Sequence, residues 1–399
     1  MKHPLLTQFL RFLSTLPAPL AEPLARLAGI RFPGLALEFI GHQAPEPELF
    51  YKEGILGLRK KYRFEVLLAP PAKVANQHLM TYWEAFFPVI RDPGLCAALE
   101  PLARRPQMCL PRKHYIEALD QTAAFPRIHE LWGNRPPLLK LTEADRAFGW
   151  DILRRWGLKD GDWFACVHCR EGGFDKNTRC HSFRNAQVEN FLPAIQEITA
   201  RGGWVVRLGD ASMTPLPKMP RVVDYALSPD KSARMDVFLC AGSRFLLGSS
   251  SGPAMLCSVF GVPCGITNNA PMGVTLLYAP PDIGIPKLVR SQRAGRILTF
   301  PEVLGAPVSN FRFAEQYEQE GYEVIENTPD DIRWLARELL ERAEGTWQPA
   351  PDDEAFQKTF KSLFRPGHYT YGSTSRAGRD FLRSHRNLLT PPATWDPTS

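Results

Sequence analysis

The sequence predicts an α/β protein of two domains, the second built on a doubly wound parallel sheet, and three observations lead there. The chain has 399 residues, more than the roughly 250–300 that one hydrophobic core usually serves. Hydrophobic residues make up 44% and charged residues 23%, a globular balance with apolar material enough for two cores. From Asp162 onward, short apolar runs alternate with amphipathic stretches, the signature of parallel βαβ units.

The elements follow in order. Leu5, Phe9, Leu13 and Leu16 fall on one helical face, with Thr7, Arg11, Ser14 and Thr15 opposite. This amphipathic helix is expected to dock on the protein's own core. The second reading lays it on an anionic membrane surface, helped by the cluster Arg59-Lys60-Lys61-Tyr62-Arg63. Gln8 and Arg11 interrupt the apolar run, so it is not expected to be a signal peptide. No apolar run is long enough to span a bilayer. Leu35–Ile40 and Phe64–Leu68 read as strands, His78–Phe87 and Leu95–Ala103 as helices. The polar, Pro-bearing stretch Gly133-Asn134-Arg135-Pro136-Pro137 marks a linker. The expected organisation is a first domain over 1–140, a second over 141–345, and a tail over 346–399 whose helices pack back toward the first domain.

In the second half, Thr142 is a candidate N-cap for a helix to Trp156, with Glu143 and Asp145 in its first turn. Strands are expected at Asp162–His168, Trp204–Leu208, Arg221–Val223, Arg244–Leu247 and Pro263–Ile266. Helices are expected at Ala186–Ala200, Ala233–Ala241, Pro253–Phe260 and Asp330–Glu344, then near Glu354–Phe364 and Arg376–Arg386.

Ligands of open parallel sheets bind beyond the carboxyl ends of the strands, so the residues just after each strand are the informative ones. His168 ends the first strand and Cys169-Arg170-Glu171-Gly172-Gly173-Phe174-Asp175-Lys176 follows it. Arg207 closes the next, before Gly209-Asp210; Asp224-Tyr225-Ala226 follows the third; Gly248-Ser249-Ser250-Ser251-Gly252-Pro253 follows the fourth. Two arginines, a lysine and an exposed helix start on one rim make an anion site suited to a diphosphate. Three serines flanked by glycines exceed what an N-cap requires, although one serine there is enough for capping. Arg170 would grip phosphate oxygens, with a structural ion pair to Glu171 or Asp175 as the bland alternative. Gly172 and Gly173 permit close backbone approach or simply form a turn. Glu171 or Asp175 is the candidate general base. His168, at a buried strand end, is as readily a satisfied core histidine. The net charge of +6 suits an anionic ligand and falls well short of a surface that coats nucleic acid.

Other chemistries fit the text less well. No G-x-G and no G-K-[ST] loop occurs, so the dinucleotide fingerprint and the P-loop are absent. The D-x-D at Asp160-Gly161-Asp162 precedes a strand, the wrong end for a metal–nucleotide site. Cys166, His168, Cys169, Cys180 and His181 crowd together, but strand alternation sends Cys166 and Cys169 to opposite faces, so no metal is expected. Eight cysteines read as reduced thiols of a cytoplasmic protein. Gly248-Ser249-Ser250-Ser251-Gly252 matches the G-x-S-x-G elbow of serine hydrolases, whose base would have to be His368 or His385.

The ordered set Cys166-Val167-His168-Cys169-Arg170-Glu171-Gly172-Gly173-Phe174, Arg184-Asn185, Gly202-Gly203-Trp204-Val205-Val206-Arg207-Leu208-Gly209-Asp210, Asp224-Tyr225-Ala226 and Met235-Asp236-Val237-Phe238-Leu239 resembles a bacterial family of glycosyltransferases with a V-H-x-R-E-G-G type motif. Val167-His168-Cys169-Arg170 is more distantly similar to the V-H-x-R motif of GDP-fucose-dependent fucosyltransferases. The resemblance implies a GT-B-like fold, two Rossmann-like domains facing across a cleft, and inverting, metal-independent transfer from a nucleotide sugar, GDP-linked by preference, to a saccharide or glycolipid acceptor in polysaccharide biosynthesis. No cofactor and no nucleic-acid partner is implied. It places Arg170 on the diphosphate and makes the Asp236…Ser249-Ser250 stretch nucleotide-contacting; the positions after the strands add Arg207 on the diphosphate, the Ser249–Gly252 loop on phosphate or ribose, Asp210, Asp224 and Asp236 on ribose, base or the arginines, and Tyr225 against the base. Peripheral contact with the inner face of the membrane is the accompanying expectation. A GT-B-fold epimerase or hydrolase of nucleotide sugars is the alternative, with the serine hydrolase behind it.

Overall fold

The structure, a computed structural model, describes residues 4–110, 124–173, 178–274 and 279–391. The chain forms two compact units, Met1–Leu139 and Lys140–Ser399.

In the first unit β1 (Ile30–Pro33) lies between β2 (Phe64–Glu65) and β5 (Cys109–Leu110), parallel to both; β3 (Leu67–Leu68) and β4 (Val89–Ile90) form a second parallel pair. Helices Pro4–Ser14, Ala18–Leu27 and Pro93–Ala103 pack on one another and on β1. The first helix buries Leu6, Leu10 and Leu13 and leaves Leu5 exposed. Its core face is therefore rotated from the expected one, because the neighbouring helix Ala18–Leu27, not foreseen in so proline-rich a stretch, covers a different stripe. The expected strand Leu35–Ile40 does not form. The Ala36 and Leu37 N–H groups donate to the carboxylates of Glu46 and Glu38 instead of to a ladder, and the strand lies earlier, at fully buried Ile30–Pro33.

The second unit has the doubly wound parallel sheet that the sequence predicts. Its strands are β6 (Phe164–His168), β7 (Trp204–Arg207), β8 (Val222–Val223), β9 (Leu246–Ser249), β10 (Cys264–Asn269), β11 (Ile283–Pro286) and β15 (Arg376–Ala377). They are ordered β8-β7-β6-β9-β10-β11-β15 and every pairing is parallel. Between them, β12 (Leu288–Ser291), β13 (Arg296–Ile297) and β14 (Tyr322–Ile325) make a small antiparallel sheet.

Helices cover both faces. Leu192–Ala200 and Pro329–Glu344 pack together over a core that includes Ile195, Ile198, Leu335 and Leu339. Glu143–Trp156 and Gly252–Val259 each pack on Ala233–Gly242. Gly149 allows the close approach of the first of these to Ala233–Gly242, since a Cβ there would stand 2.1 Å from the Phe238 ring. Thr142 accepts from the Asp145 N–H at 3.1 Å, as its N-cap role predicts, and Gly157 at φ 106° ends the helix. The helix expected from Ala186 starts only at Leu192, after a 3₁₀ turn at Val188–Phe191, because Pro193 fits the first helical turn and not the interior.

The tail 346–399, expected to return toward the first domain, is built into the second unit. β15 extends the seven-stranded sheet beside β11, and Phe360, Phe381 and Leu382 join that unit's core.

Candidate functional site

Numbered along the chain, the order β8-β7-β6-β9-β10-β11 is the 3-2-1-4-5-6 order of dinucleotide-binding sheets. Successive connections from β6 wind one way and those from β9 the other, so the carboxyl ends of β6 and β9 form the switch point at which sheets of this order bind ligands. His168 and Gly248 are paired across it. A Cβ on Gly248 would meet the His168 carbonyl oxygen at 2.8 Å, so glycine is what lets the two strand ends close up.

Two of the sequence-predicted loops flank this point. The Arg170 N–H donates to Ser249 Oγ at 3.2 Å. Ser249 and Ser250 are buried, and helix Gly252–Val259 begins immediately after Ser251. Ser251 makes no side-chain cap and Pro253 has no N–H, so the helix start keeps its partial positive charge uncapped by serine.

A third element adds what sequence reasoning missed. Arg184, in the 3₁₀ segment Thr178–Arg184, donates from Nη2 to the Ser250 carbonyl at 2.6 Å. Burial first, then the neighbouring Arg170 and Arg312 guanidiniums, pulls its pKa down to about 9. Every cause of that shift acts in the same direction, and none is a carboxylate. A guanidinium does not surrender its proton near neutrality, so Arg184 stays cationic beside Arg170 and Arg312. Arg184 precedes Asn185 in the ordered motif set, but no local pattern gives its distance to the serine loop, 66 positions on. Arg312 lies too far along the chain for any local pattern to reveal it.

Lys287, just past β11, is also buried; burial lowers its pKa to about 8, and Nζ donates to the Asn185 carbonyl at 2.5 Å. The Asn185 amide in turn lies against Gly172, where a Cβ would stand 3.0 Å from Nδ2.

Several predicted ligand residues have other work. The Arg207 side chain is 0% exposed, and its Nε and Nη2 hold both oxygens of Asp224 at 2.7 and 2.9 Å. Nη2 also donates to the Thr214 carbonyl. Arg207 is therefore not on the phosphate rim; it braces the loop after β7. Asp224, which also accepts from the Leu216 N–H, is spent on the same brace. Glu171 turns toward it as well. Its Oε2 accepts from the Thr214 N–H and hydroxyl, and Oε1 lies 3.6 Å from Arg207. A carboxylate so engaged is a poor general base.

Asp210 accepts from the Ser212 N–H and hydroxyl in a local turn. Gly209 sits where a Cβ would strike the Met213 sulfur, and a Cβ on Gly173 would strike Ser212. Tyr225 is completely buried, its hydroxyl donating to Asp236 at 2.8 Å and its ring beside Trp156, so no face is left for a base. Asp236 also takes Lys231. His168 is buried at the switch point, where burial, Arg170 and Arg207 hold its pKa down to about 4 against a weaker pull from Asp210. Asp175 and Lys176 lie outside the described residues.

The rival chemistries lose ground. A nucleophile elbow strains its serine, yet among the described residues the non-glycines with positive φ are Arg221 and Asn268, not Ser250. His368 Nδ1 takes the Arg365 N–H and His385 Nδ1 meets the Phe381 carbonyl. The Cys166 and Cys169 thiols point to the Leu239 and Ala186 carbonyls respectively, and no metal-holding cluster occurs among the described residues. Asp160 and Asp162 stand at the amino end of β6, engaged with Arg154 and the Lys159 N–H.

No family model matches the chain, and no curated protein does. Among solved structures it is similar to a glycosyl transferase family 9 protein of Veillonella parvula, at 11% identity over 75% of this chain and 81% of that one, TM-score 0.37. It is also similar to the ADP-heptose LPS heptosyltransferase II of E. coli, at 12% identity over 61% and 86%, TM-score 0.36. A third likeness is to the UDP-GlcNAc 2-epimerase of Methanocaldococcus jannaschii, at 15% identity over 58% and 66%, TM-score 0.21. Overlaps this loose do not decide between a transferase and an epimerase.

Proposed function

We propose that the protein is a GT-B-type glycosyltransferase that binds a nucleotide sugar, GDP-linked by preference, by its diphosphate and passes the sugar to a saccharide or glycolipid acceptor. The observation behind this reading is the meeting of Arg170, Arg184 and the Ser249–Ser251 turn at the sheet's switch point.

In the proposed reaction an acceptor hydroxyl attacks the anomeric carbon with inversion while the bond from that carbon to the diphosphate oxygen breaks. Arg170 and Arg184, with the start of helix Gly252–Val259, neutralise the charge gathering on the departing diphosphate. The hydroxyl proton passes to a carboxylate. With Glu171 held by Thr214 and Arg207, that role is assigned to Asp175. Arg207 and Asp224 are positioning residues that hold the β7 loop. The diphosphate's charge is met by guanidiniums, so transfer is expected to need no divalent cation. The reaction is assigned to the cytoplasm, at the inner face of the membrane.

The test is a thermal-shift panel of GDP, UDP, dTDP and CMP with chelator present. GDP is expected to raise the melting temperature most. If no nucleotide shifts it, the reading fails; consumption of donor without any acceptor would convert it to the epimerase or hydrolase alternative.

A further inference from the structure

Of the twelve large apolar side chains that stand exposed among the described residues, five fall within the first 27 positions: Leu5, Phe12, Leu20, Leu24 and Leu27. Helix Ala18–Leu27 buries Ala21, Glu22 and Ala25. Leu20, Leu24 and Leu27, spaced four and three apart, therefore form a stripe on its opposite face. They are 63%, 40% and 89% exposed, so the helix carries a second apolar stripe that stands largely in solvent. Leu5 and Phe12, seven apart on the adjoining helix, are 79% and 51% exposed.

The stripe ends in positive charge. Gly29 follows Leu27 by two residues, and a Cβ on it would touch the Arg63 Cβ at 2.9 Å. The Phe64 N–H also donates to the Gly29 carbonyl. Arg63, Lys60 and Lys61 are all exposed; Arg26, on the helix itself, is half in solvent and pairs with Glu22 at 3.9 Å. Arg59 of the same run is occupied by Glu65.

We infer that this face docks on the surface of an anionic phospholipid bilayer, the leucine stripe entering the headgroup–acyl boundary and the adjoining cations meeting lipid phosphates. An outward leucine row beside a row of cations is the charge and polarity pattern of such a surface. A protein partner large enough to cover the leucines would not need the cations. This surface shares Leu5 and the cation run with the expected one, the first-helix face of Leu5, Phe9, Leu13 and Leu16; Leu13 is buried in the core, and the outward row Leu20, Leu24 and Leu27 of the next helix takes its place. The inference is independent of the transfer reading.

The test is co-sedimentation of the full chain with vesicles of phosphatidylcholine alone and of phosphatidylcholine mixed with phosphatidylglycerol, with mass in solution followed by light scattering. Binding is expected on the mixed vesicles, weakening as salt is raised. The combined variant Leu20→Ser, Leu24→Ser and Leu27→Ser is expected to lose at least about tenfold in partitioning, with its melting temperature held, since these side chains contribute nothing to the core. Lys60→Gln, Lys61→Gln and Arg63→Gln together are expected to lose roughly hundredfold on mixed vesicles, at about fivefold per charge, and little on neutral ones. Absence of pelleting with anionic vesicles overturns the inference, as does equal binding to both compositions. A native mass twice that of the serine variant also overturns it, by making a second copy the occupant of the stripe.

Discussion

The Arg170 N–H donates to Ser249 Oγ, joining the loop after β6 to the loop after β9. Those strands are neighbours in the sheet but far apart along the chain, and the bond crosses the point where the winding direction changes. Arg184 secures the same turn through the Ser250 carbonyl. A cationic loop, a helix start and a second arginine are thus fixed to one another before any ligand arrives, which spares the ligand the cost of ordering them.

Arg184→Ala should weaken nucleoside diphosphate binding by about ten- to hundredfold, the worth of one charge-assisted contact of roughly 1.5–3 kcal/mol. The ligand-free protein should melt at the same temperature or higher, because crowding with Arg170 and Arg312 is relieved. Calorimetric titration with GDP beside a melting curve checks both. A lower melting temperature with unchanged affinity would reduce Arg184 to a strut.

Asp224→Ala should cost up to about 3–5 kcal/mol of folding stability, because it leaves the fully buried Arg207 guanidinium with Glu171, at 3.6 Å, in place of a bidentate carboxylate. Urea unfolding measures the loss. A variant with native stability and no nucleotide affinity would return Asp224 and Arg207 to the ligand.

His168 predicts a pH effect. Its pKa is depressed to about 4 in the folded chain, against about 6.5 unfolded. Between those values the unfolded chain holds more protons, so stability rises with pH there. The contribution of the neutral ring is fully present above about pH 6.5 and is lost as pH falls toward about 4, by roughly 3 kcal/mol in all. His129, held down to about 3 by burial and Lys52, acts in the same sense. The effect is therefore read as the difference between the native chain and His168→Asn, whose urea midpoint should fall less steeply on acidification.

Gly248→Ala should destabilise by about 1–3 kcal/mol and abolish nucleotide binding, since its Cβ would press on the His168 backbone oxygen and separate the strands at the site. Melting and a GDP titration measured together check this; native affinity in the variant would show that the strand ends do not shape the pocket.

What was legible in the sequence follows from where the signal lies. The alternation of buried strands and capped helices in the second unit is local, so β6, β7, β9 and β10 and the cap at Thr142 could be read directly. The serine turn and Arg170 were legible for the same reason, each following a strand. What escaped depends on contacts between distant residues. Whether an arginine faces a ligand or a carboxylate is decided by its neighbours, and Arg207 met Asp224 across 17 positions. Tyr225 was read as a platform because its burial beneath Trp156 leaves no trace in its own segment. β15 is two residues long and owes its place to pairing with β11, not to any apolar run.

The mutual crowding of Arg170, Arg184 and Arg312 has a practical side. The proposed cradle would not distinguish sharply between two linked phosphates and a small tetrahedral oxyanion, so sulfate or inorganic phosphate in the solvent should compete for it. Nucleotide affinities taken in phosphate buffer would then record a competition, and the intrinsic strength of the grip would emerge only in chloride or a zwitterionic medium.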